Sequence, residues 1–186
     1  MQVRIDRPVV TGTMDTALGA VRAPATNGVA KHANARGPLV YSVNDLKNHV
    51  GQALGESQPH HITQDQVNEF ADATGDHQWL HVDLDRAKRG PYHGTIAHGF
   101  LTLSLLPMLF DECVRVTDAK ALVNYGLNKL RFPAPVPVGS TVRGTLTLNS
   151  IEEAHGALEM EVGFDIRVEG AQKPSAVGES VFLLYR

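Results

Sequence analysis

Two hydrophobic periods divide the chain. From residue 121 onward apolar and polar positions alternate, as in 140–150 ("STVRGTLTLNS") and 157–170 ("ALEMEVGFDIRVEG"). A period of two predicts long strands with one face in the core and the other in water. Residues 121–132 and 176–186 predict two further strands. The intervening "PAPVPVGS" predicts a turn-rich connection, because proline cannot serve a central ladder.

The preceding part of the chain predicts helices. Residues 42–54 have the apolar spacing of a short helix, and residues 62–76 ("ITQDQVNEFADATGD") that of a longer one. Thr63 and Gln66 form a capping box at its start, and Gly75 is placed where a helix ends in the left-handed conformation. Asp76 is therefore expected on a turn just past a helix end. Residues 83–95 predict a polar loop.

The segment 96–110 ("IAHGFLTLSLLPMLF") is apolar on every side, which predicts a fully buried helix that kinks at Pro107 or ends before it. Helices come first and antiparallel strands follow, which predicts an α+β fold rather than alternating βαβ units. A long buried helix needs a cover, and a curved antiparallel sheet is the obvious candidate.

Composition predicts one domain over residues 39–186. Residues 1–38 are rich in Ala, Gly, Thr and Asn without a sustained period, which predicts a flexible N-terminal extension. This extension has more basic than acidic residues, so a targeting role is conceivable.

Charge and cysteine content narrow the function classes. The net charge of -3 and pI near 6.3 argue against a nucleic-acid partner. Cys113 is the single cysteine and is expected to be a buried small hydrophobe, which excludes a disulfide framework. No apolar run is long enough to span a membrane, and no secretory signal opens the chain, so we expect a cytoplasmic protein.

The stretch "ATGDHQWLHVD" (73–83) carries the candidate chemistry. A surface ion pair between Asp76 and His81 is one interpretation, and local sequence favours it about as much as a catalytic acid–base pair. A metal site is a minor third interpretation. His77 and His81 have the i, i+4 spacing of a zinc helix only if the segment is helical, and a third ligand would come from His93 or His98.

A second cluster, His98 and Gly99, lies at the predicted start of the apolar helix. A helix start is the positive end of the helix dipole and offers unpaired backbone N–H groups. Such an N–H can stabilise negative charge on a carbonyl oxygen. Alternatively, Gly99 relieves packing and His98 caps the helix or bonds in the core, which is the favoured interpretation for His98 alone.

Together these residues resemble the MaoC-like family, the (R)-specific enoyl-CoA hydratases also called hydratase 2. The matching residues are Gly75, Asp76, Leu80, His81, His98 and Gly99, and "NKLRFPAPVPVGSTVRG" resembles a later element of the family. The similarity runs from about residue 40 to the C-terminus. It implies a hot-dog fold, an antiparallel sheet wrapped around one long helix, and a homodimer.

The resemblance also implies a reaction, the reversible hydration of trans-2-enoyl-CoA to (R)-3-hydroxyacyl-CoA in fatty acid metabolism. Asp76 and His81 would activate water, the N–H of Gly99 would bind the thioester oxygen, and no metal or redox cofactor is needed. Where many members have Asn-Pro, this chain has Gln78 and Trp79. Substrate contacts are expected from Gln78, Trp79, His98, Lys129 and Arg131. The basic residues among them, with Arg143 a weaker candidate, would contact the phosphates of the thioester carrier.

Three alternatives stay open. The substrate carrier can be a carrier protein instead of coenzyme A. An acyl-thioesterase would need a nucleophile or base on the central helix, which offers only Thr102 and Ser104. A non-catalytic subunit of a hot-dog heterodimer would show no activity alone.

Overall fold

The computed structural model of the protein describes residues 37–186. The extension predicted for residues 1–38 lies, except for Gly37 and Pro38, outside the described residues and stays a prediction. The strands are β1 Leu39–Tyr41, β2 Ala53–Glu56, β3 His60–His61, β4 Val114–Val116, β5 Ala121–Arg131, β6 Thr141–Ala154, β7 Ala157–Val168 and β8 Ala176–Tyr185. The helices are α1 Val43–Lys47, α2 Gln64–Thr74, α3 Trp79–Val82, α4 Leu84–Lys88, α5 Gly99–Ser104 and α6 Leu106–Cys113.

An antiparallel sheet forms the body of the domain, with the strand order β2-β6-β7-β8-β5. The short strand β3 also pairs with β6, at residues that β2 does not cover. The four long strands predicted from the period of two are confirmed. The β6–β7 hairpin turns at His155 and Gly156, whose φ angles of 54° and 72° suit a tight two-residue turn. β1 and β4 pair in parallel as a separate ribbon.

The apolar positions of β6 and β7 face the helices. Val142, Leu146 and Leu148 are completely buried. Gly144 completes this row, and a side chain there would meet Leu109 of α6, because an added Cβ would lie 2.8 Å from Leu109 Cδ1. Glycine therefore lets α6 pack directly on the sheet, which is how the central helix and the sheet share one core.

The apolar segment after residue 96 forms two helices instead of one. α5 ends at Ser104 and α6 begins at Leu106, with Pro107 in its first turn, so the predicted interruption at Pro107 is confirmed. The prediction of burial on every side is wrong, because Phe100 is 64% exposed and Met108 39% exposed. The sheet covers one side of these helices and leaves the other to solvent.

Three smaller expectations are corrected. Residues 83–95 are not loop throughout, because Asp83 accepts a hydrogen bond from the Arg86 N–H (2.9 Å) and starts α4. The helix predicted over 42–54 ends at Lys47, and its last residues belong to β2. The helices do not all precede the strands, since three short strands come before α2.

The single cysteine is placed as predicted. Cys113 is completely buried at the end of α6. Burial, with a smaller contribution from the charges of Glu112 and Glu56, raises the pKa of its thiol to about 12. Among residues 37–186, no helix is long and apolar enough to cross a membrane.

Candidate active site

Asp76 follows the end of α2. The chain leaves that helix at Gly75, whose φ of 79° is the left-handed conformation predicted for it. Asp76 and the next two residues are exposed and connect α2 to the single turn of α3. The Asp76 N–H donates to Thr74 Oγ1 and its Oδ1 accepts from the Gln78 N–H, both over a long 3.4 Å. The carboxylate is thus accessible on a short connector.

His81 lies in α3 and is only 7% exposed. Its Nδ1 is 2.7 Å from the carbonyl oxygen of Ile96. Because a carbonyl oxygen only accepts, Nδ1 must carry the hydrogen, and in the neutral ring Nε2 is then the unprotonated nitrogen. The structure therefore presents His81 in the tautomer whose Nε2 can accept a proton.

A small network fixes the backbone around His81. Gln64, the first residue of α2, donates from Nε2 to the carbonyl oxygen of His81 (2.7 Å) and accepts from Thr95 Oγ1 (2.6 Å). The Ile96 N–H donates to the carbonyl oxygen of Leu80 (3.1 Å). Sequence reasoning missed Gln64, because nothing in a helix-start glutamine signals a partner 17 residues away.

His98 precedes α5 and is 2% exposed. It makes no capping hydrogen bond with its side chain. Instead its Nε2–H donates to the carbonyl oxygen of Asp76 (2.9 Å), and its ring stacks on that of His81 with centroids 3.7 Å apart. The expectation of a core bond, rather than a cap, is therefore confirmed for His98.

The three side chains converge. One ring nitrogen each of His81 and His98 and one oxygen of the Asp76 carboxylate lie within 4.8 Å of one another. Across residues 37–186, the carboxylate makes no direct hydrogen bond or ion pair with either ring. Two hydrogen bonds of about 2.8 Å meeting at a roughly tetrahedral angle span about 4.6 Å. A water molecule that bridges acid and imidazole is therefore compatible with this upper limit.

The same three side chains offer ligand atoms that a metal ion could bind. The planes of the two stacked rings differ by only 29°. Since the nitrogen lone pairs lie in the ring planes, such stacking disfavours the convergence of both rings on one ion. His77 is apart from the group and lies 3.6 Å from Asp72 on the surface, as expected if residues 77–81 are not one helix.

Gly99 is the first residue of α5, as predicted. An N–H in the first turn of a helix has no acceptor within that helix. A Cβ added to Gly99 would lie 3.0 Å from the Phe132 ring, closer than ordinary contact. Glycine thus serves packing against Phe132 and also keeps the helix start open, so the two interpretations of Gly99 are compatible.

The hydroxyls on the central helix are occupied by the backbone. Thr102 Oγ1 donates to the carbonyl oxygen of His98 (3.2 Å), and Ser104 Oγ donates to that of Leu101 (2.9 Å). Neither hydroxyl donates to a base, as the nucleophile of an acyl-thioesterase would.

The other side chains predicted to contact substrate lie in different parts of the domain. Gln78 is exposed beside Asp76, and the Trp79 ring lies under the Arg86 guanidinium, 4.5 Å from its centre. Lys129 Nζ is 2.8 Å from Glu179, and this hydrogen bond raises the pKa of the ammonium. A role for any of these groups in substrate binding stays a prediction.

The two arginines considered for phosphate contacts are also bonded within the domain. Arg131 donates to the carbonyl oxygen of Leu130 (2.7 Å). Arg143 pairs with Glu169 at 2.6 Å and donates to the carbonyl oxygen of Ser57. Arg143 is already paired with Glu169, and Lys129 with Glu179. A phosphate that binds either side chain would therefore compete with that ion pair.

Comparison with known proteins identifies the family. The profile described as MaoC like domain matches residues 45–169. A Mycobacterium tuberculosis protein named 3-hydroxyacyl-thioester dehydratase Z is 52% identical over 141 residues, which are 75% of this chain and 93% of the relative. Nodulation protein N of Rhizobium leguminosarum bv. viciae is 42% identical over 130 residues, 69% of this chain and 80% of the relative.

A solved structure shares the fold. The R-hydratase PhaJ1 from Pseudomonas aeruginosa superposes with a TM-score of 0.61 at 23% identity, over 74% of this chain and 82% of that one. The predicted hot-dog architecture, a sheet packed on a central helical segment, is thereby confirmed. By the family profile and the sequence relatives, the chain belongs to the MaoC-like dehydratase family of hydratase and dehydratase enzymes.

Proposed function

We propose that the protein adds water reversibly to a trans-2-enoyl thioester and forms an (R)-3-hydroxyacyl thioester, with Asp76 and His81 as the acid–base pair. The observation that carries this proposal is the gap between them. A carboxylate oxygen and an imidazole nitrogen lie within 4.8 Å of each other without a direct hydrogen bond, a limit compatible with one bridging water molecule. The name 3-hydroxyacyl-thioester dehydratase, given to the relative 52% identical, supports the same substrate class.

The pair exchanges protons with water and substrate. The water oxygen forms a bond to C3 while the pair accepts one of the water protons, and the pair delivers one proton to C2. The pair ends in its starting state, and the water is divided between C3 and C2. His81 is prepared for this exchange because its Nδ1–H is bound to Ile96, which leaves Nε2 to face the reaction. Such acid–base assistance contributes on the order of 10²- to 10⁴-fold in rate.

Gly99 supplies the electrostatic part of the proposal. As C3 is attacked, negative charge develops on the thioester oxygen, and a fixed N–H donor at that oxygen stabilises it. The N–H of Gly99 at the start of α5 is the donor we assign. The scheme uses no metal and no redox cofactor.

The same site runs the reaction in both directions, so dehydration of a 3-hydroxyacyl thioester is the reverse of the proposed step. We propose coenzyme A as the carrier and a carrier protein as the alternative. We further propose that the enzyme acts in the cytoplasm, as expected for a chain whose one cysteine is a buried thiol.

We also propose a homodimer formed through β5. This strand ends the sheet order and has an unpaired edge, which is an established template for pairing with another chain. Three of its apolar side chains, Val123, Tyr125 and Leu127, are 43–54% exposed. A second copy paired along this edge would cover part of this apolar surface. Light scattering of the purified protein tests it, and Tyr125→Lys is expected to shift the mass toward the monomer.

The reaction itself is tested with crotonyl-CoA. Purified protein should remove the enoyl-thioester absorbance and yield (R)-3-hydroxybutyryl-CoA on chiral analysis. The assay is repeated with longer acyl chains and with enoyl groups on a carrier protein. Release of free thiol without hydration would instead identify a thioesterase. No reaction with any substrate, and activity only after a second hot-dog protein is added, would identify a non-catalytic subunit.

A further inference from the structure

We propose that His98 is a positioning residue that holds both members of the acid–base pair. It bonds to the backbone of Asp76 and packs against the ring of His81. The catalytic consequence of this inference rests on the proposed function, whereas the two contacts are measurable without any activity.

The contact with Asp76 is the first step of the argument. Asp76 lies on an exposed connector, where the hydrogen bonds of its N–H and carboxylate are 3.4 Å long. The bond from His98 Nε2 to its carbonyl oxygen is 2.9 Å and partly buried, and its donor side chain is buried. This bond ties the connector to the start of α5, so the direction of the Asp76 side chain depends on the His98 ring.

The contact with His81 is the second step. The two rings stack at 3.7 Å, and Phe70 packs on His98 with centroids 5.0 Å apart. The backbone before His98 is anchored as well, because the Ala97 N–H donates to the carbonyl oxygen of Val136 (2.8 Å). His98 is therefore a rigid surface against which His81 keeps its orientation while Nδ1 stays bonded to Ile96.

A third observation argues against a purely space-filling role. His98 Nδ1 is buried and has no hydrogen-bond partner among the described residues. Burying an unsatisfied polar atom is unfavourable, and an apolar side chain of similar size would avoid that penalty. An imidazole at this position is accounted for by the Nε2–H bond that no hydrocarbon can make.

Two substitutions separate the two contacts. His98→Gln keeps an amide N–H the same number of bonds from Cα as His98 Nε2, but it removes the ring. His98→Phe keeps a ring against His81 and removes the donor. We expect kcat to fall on the order of 10- to 100-fold in His98→Phe, with little change in KM, since small misplacements of reacting groups lower the rate of the chemical step. His98→Gln is expected to recover part of the loss.

Two controls accompany them. His77→Gln changes an exposed histidine of the same segment that pairs with Asp72, and it should leave kcat unchanged. Phe110→Leu removes core volume where Phe110 packs on Phe182, and it reports how loss of stability alone affects kcat. A His98→Phe variant that loses thermal stability like Phe110→Leu but keeps normal kcat would overturn the proposal.

Nitrogen-15 NMR supplies a readout independent of turnover. Loss of the donor in His98→Phe should shift the His77 amide, which shares a peptide unit with the Asp76 carbonyl, and His98→Gln should restore it. Loss of the ring in His98→Gln should shift the His81 imidazole signals. Unchanged signals would refute the positioning role. If these shifts occur in a protein that hydrates no enoyl thioester, the proposed function fails while the positioning contacts stand.

Discussion

Two clusters on this domain combine a histidine with a carboxylate, and they are built differently. In the first, His60 Nε2 and Glu112 Oε2 are in direct contact at 2.9 Å, with both side chains about one quarter exposed. In the second, the imidazoles of His81 and His98 bond to backbone carbonyl oxygens, and the Asp76 carboxylate lies within 4.8 Å of them without a direct hydrogen bond.

The difference shows how a protein keeps an acid and a base available. In the first cluster the imidazole and the carboxylate occupy each other through a direct hydrogen bond. When backbone carbonyl oxygens bind the ring hydrogens, the acid and the base lie within reach of one water molecule and neither neutralises the other. The two clusters are therefore distinguished by the hydrogen-bond partner of each ring nitrogen, and not by burial alone.

The largest expected effect comes from Asp76→Asn. We expect hydration to fall on the order of 10²- to 10⁴-fold while the fold is kept, because the carboxylate is exposed and loses only its proton-accepting oxygen. Steady-state rates with crotonyl-CoA and a circular dichroism spectrum measure the two parts. Near-normal turnover would remove Asp76 from the proposed mechanism.

His81→Ala should lower activity by a similar factor and also cost stability. The carbonyl oxygen of Ile96 loses its partner in a buried site, which destabilises the fold by about 1–3 kcal/mol. Urea titration gives the free energy of unfolding and the enoyl absorbance assay gives the rate. A variant that loses stability yet keeps its activity would assign His81 a structural role.

Gly99→Ala is expected to lower kcat by roughly tenfold, since an added methyl group crowds the start of α5 where the N–H donor must meet the substrate oxygen. The same methyl group meets Phe132, so the double variant Gly99→Ala, Phe132→Ala is the informative comparison. Continued low kcat in the double variant supports the catalytic assignment. Full recovery would mean that glycine is needed only for packing.

Glu112→Gln should have the smallest effect. A partly exposed ion pair contributes about 0–1 kcal/mol, and we expect a loss of that order in the free energy of unfolding with unchanged kcat. Thermal melting and the hydration assay measure both. A large fall in kcat would show that the two clusters do not differ in the way proposed.

Features set by neighbours in sequence were predictable. The capping box of Thr63 and Gln66, the left-handed Gly75 and the interruption at Pro107 each depend on a few adjacent residues, and all three are confirmed. The alternation in β6 and β7 is local in the same sense. The position of Asp76 past a helix end followed from these signals.

What depends on distant partners was not predictable. The bond from His98 to Asp76 joins positions 22 apart, and that from Lys129 to Glu179 joins positions 50 apart. The exposure of Phe100 depends on how far the sheet extends, which no apolar pattern specifies. Residue types and spacing therefore predict an acid and a base, but not the contacts that orient their side chains.

The short span of the site contacts has a consequence for folding and for sequence divergence. The bonds that orient Asp76 and His81 close loops of 15, 17 and 22 residues, all between Gln64 and His98. Closing such loops costs somewhat less entropy than pairing strands that are farther apart in sequence, by about 0.6 kcal/mol for each halving of the loop length. The side-chain hydrogen bonds that orient Asp76 and His81 thus lie within one contiguous segment, and strands outside it can diverge in sequence without removing those bonds.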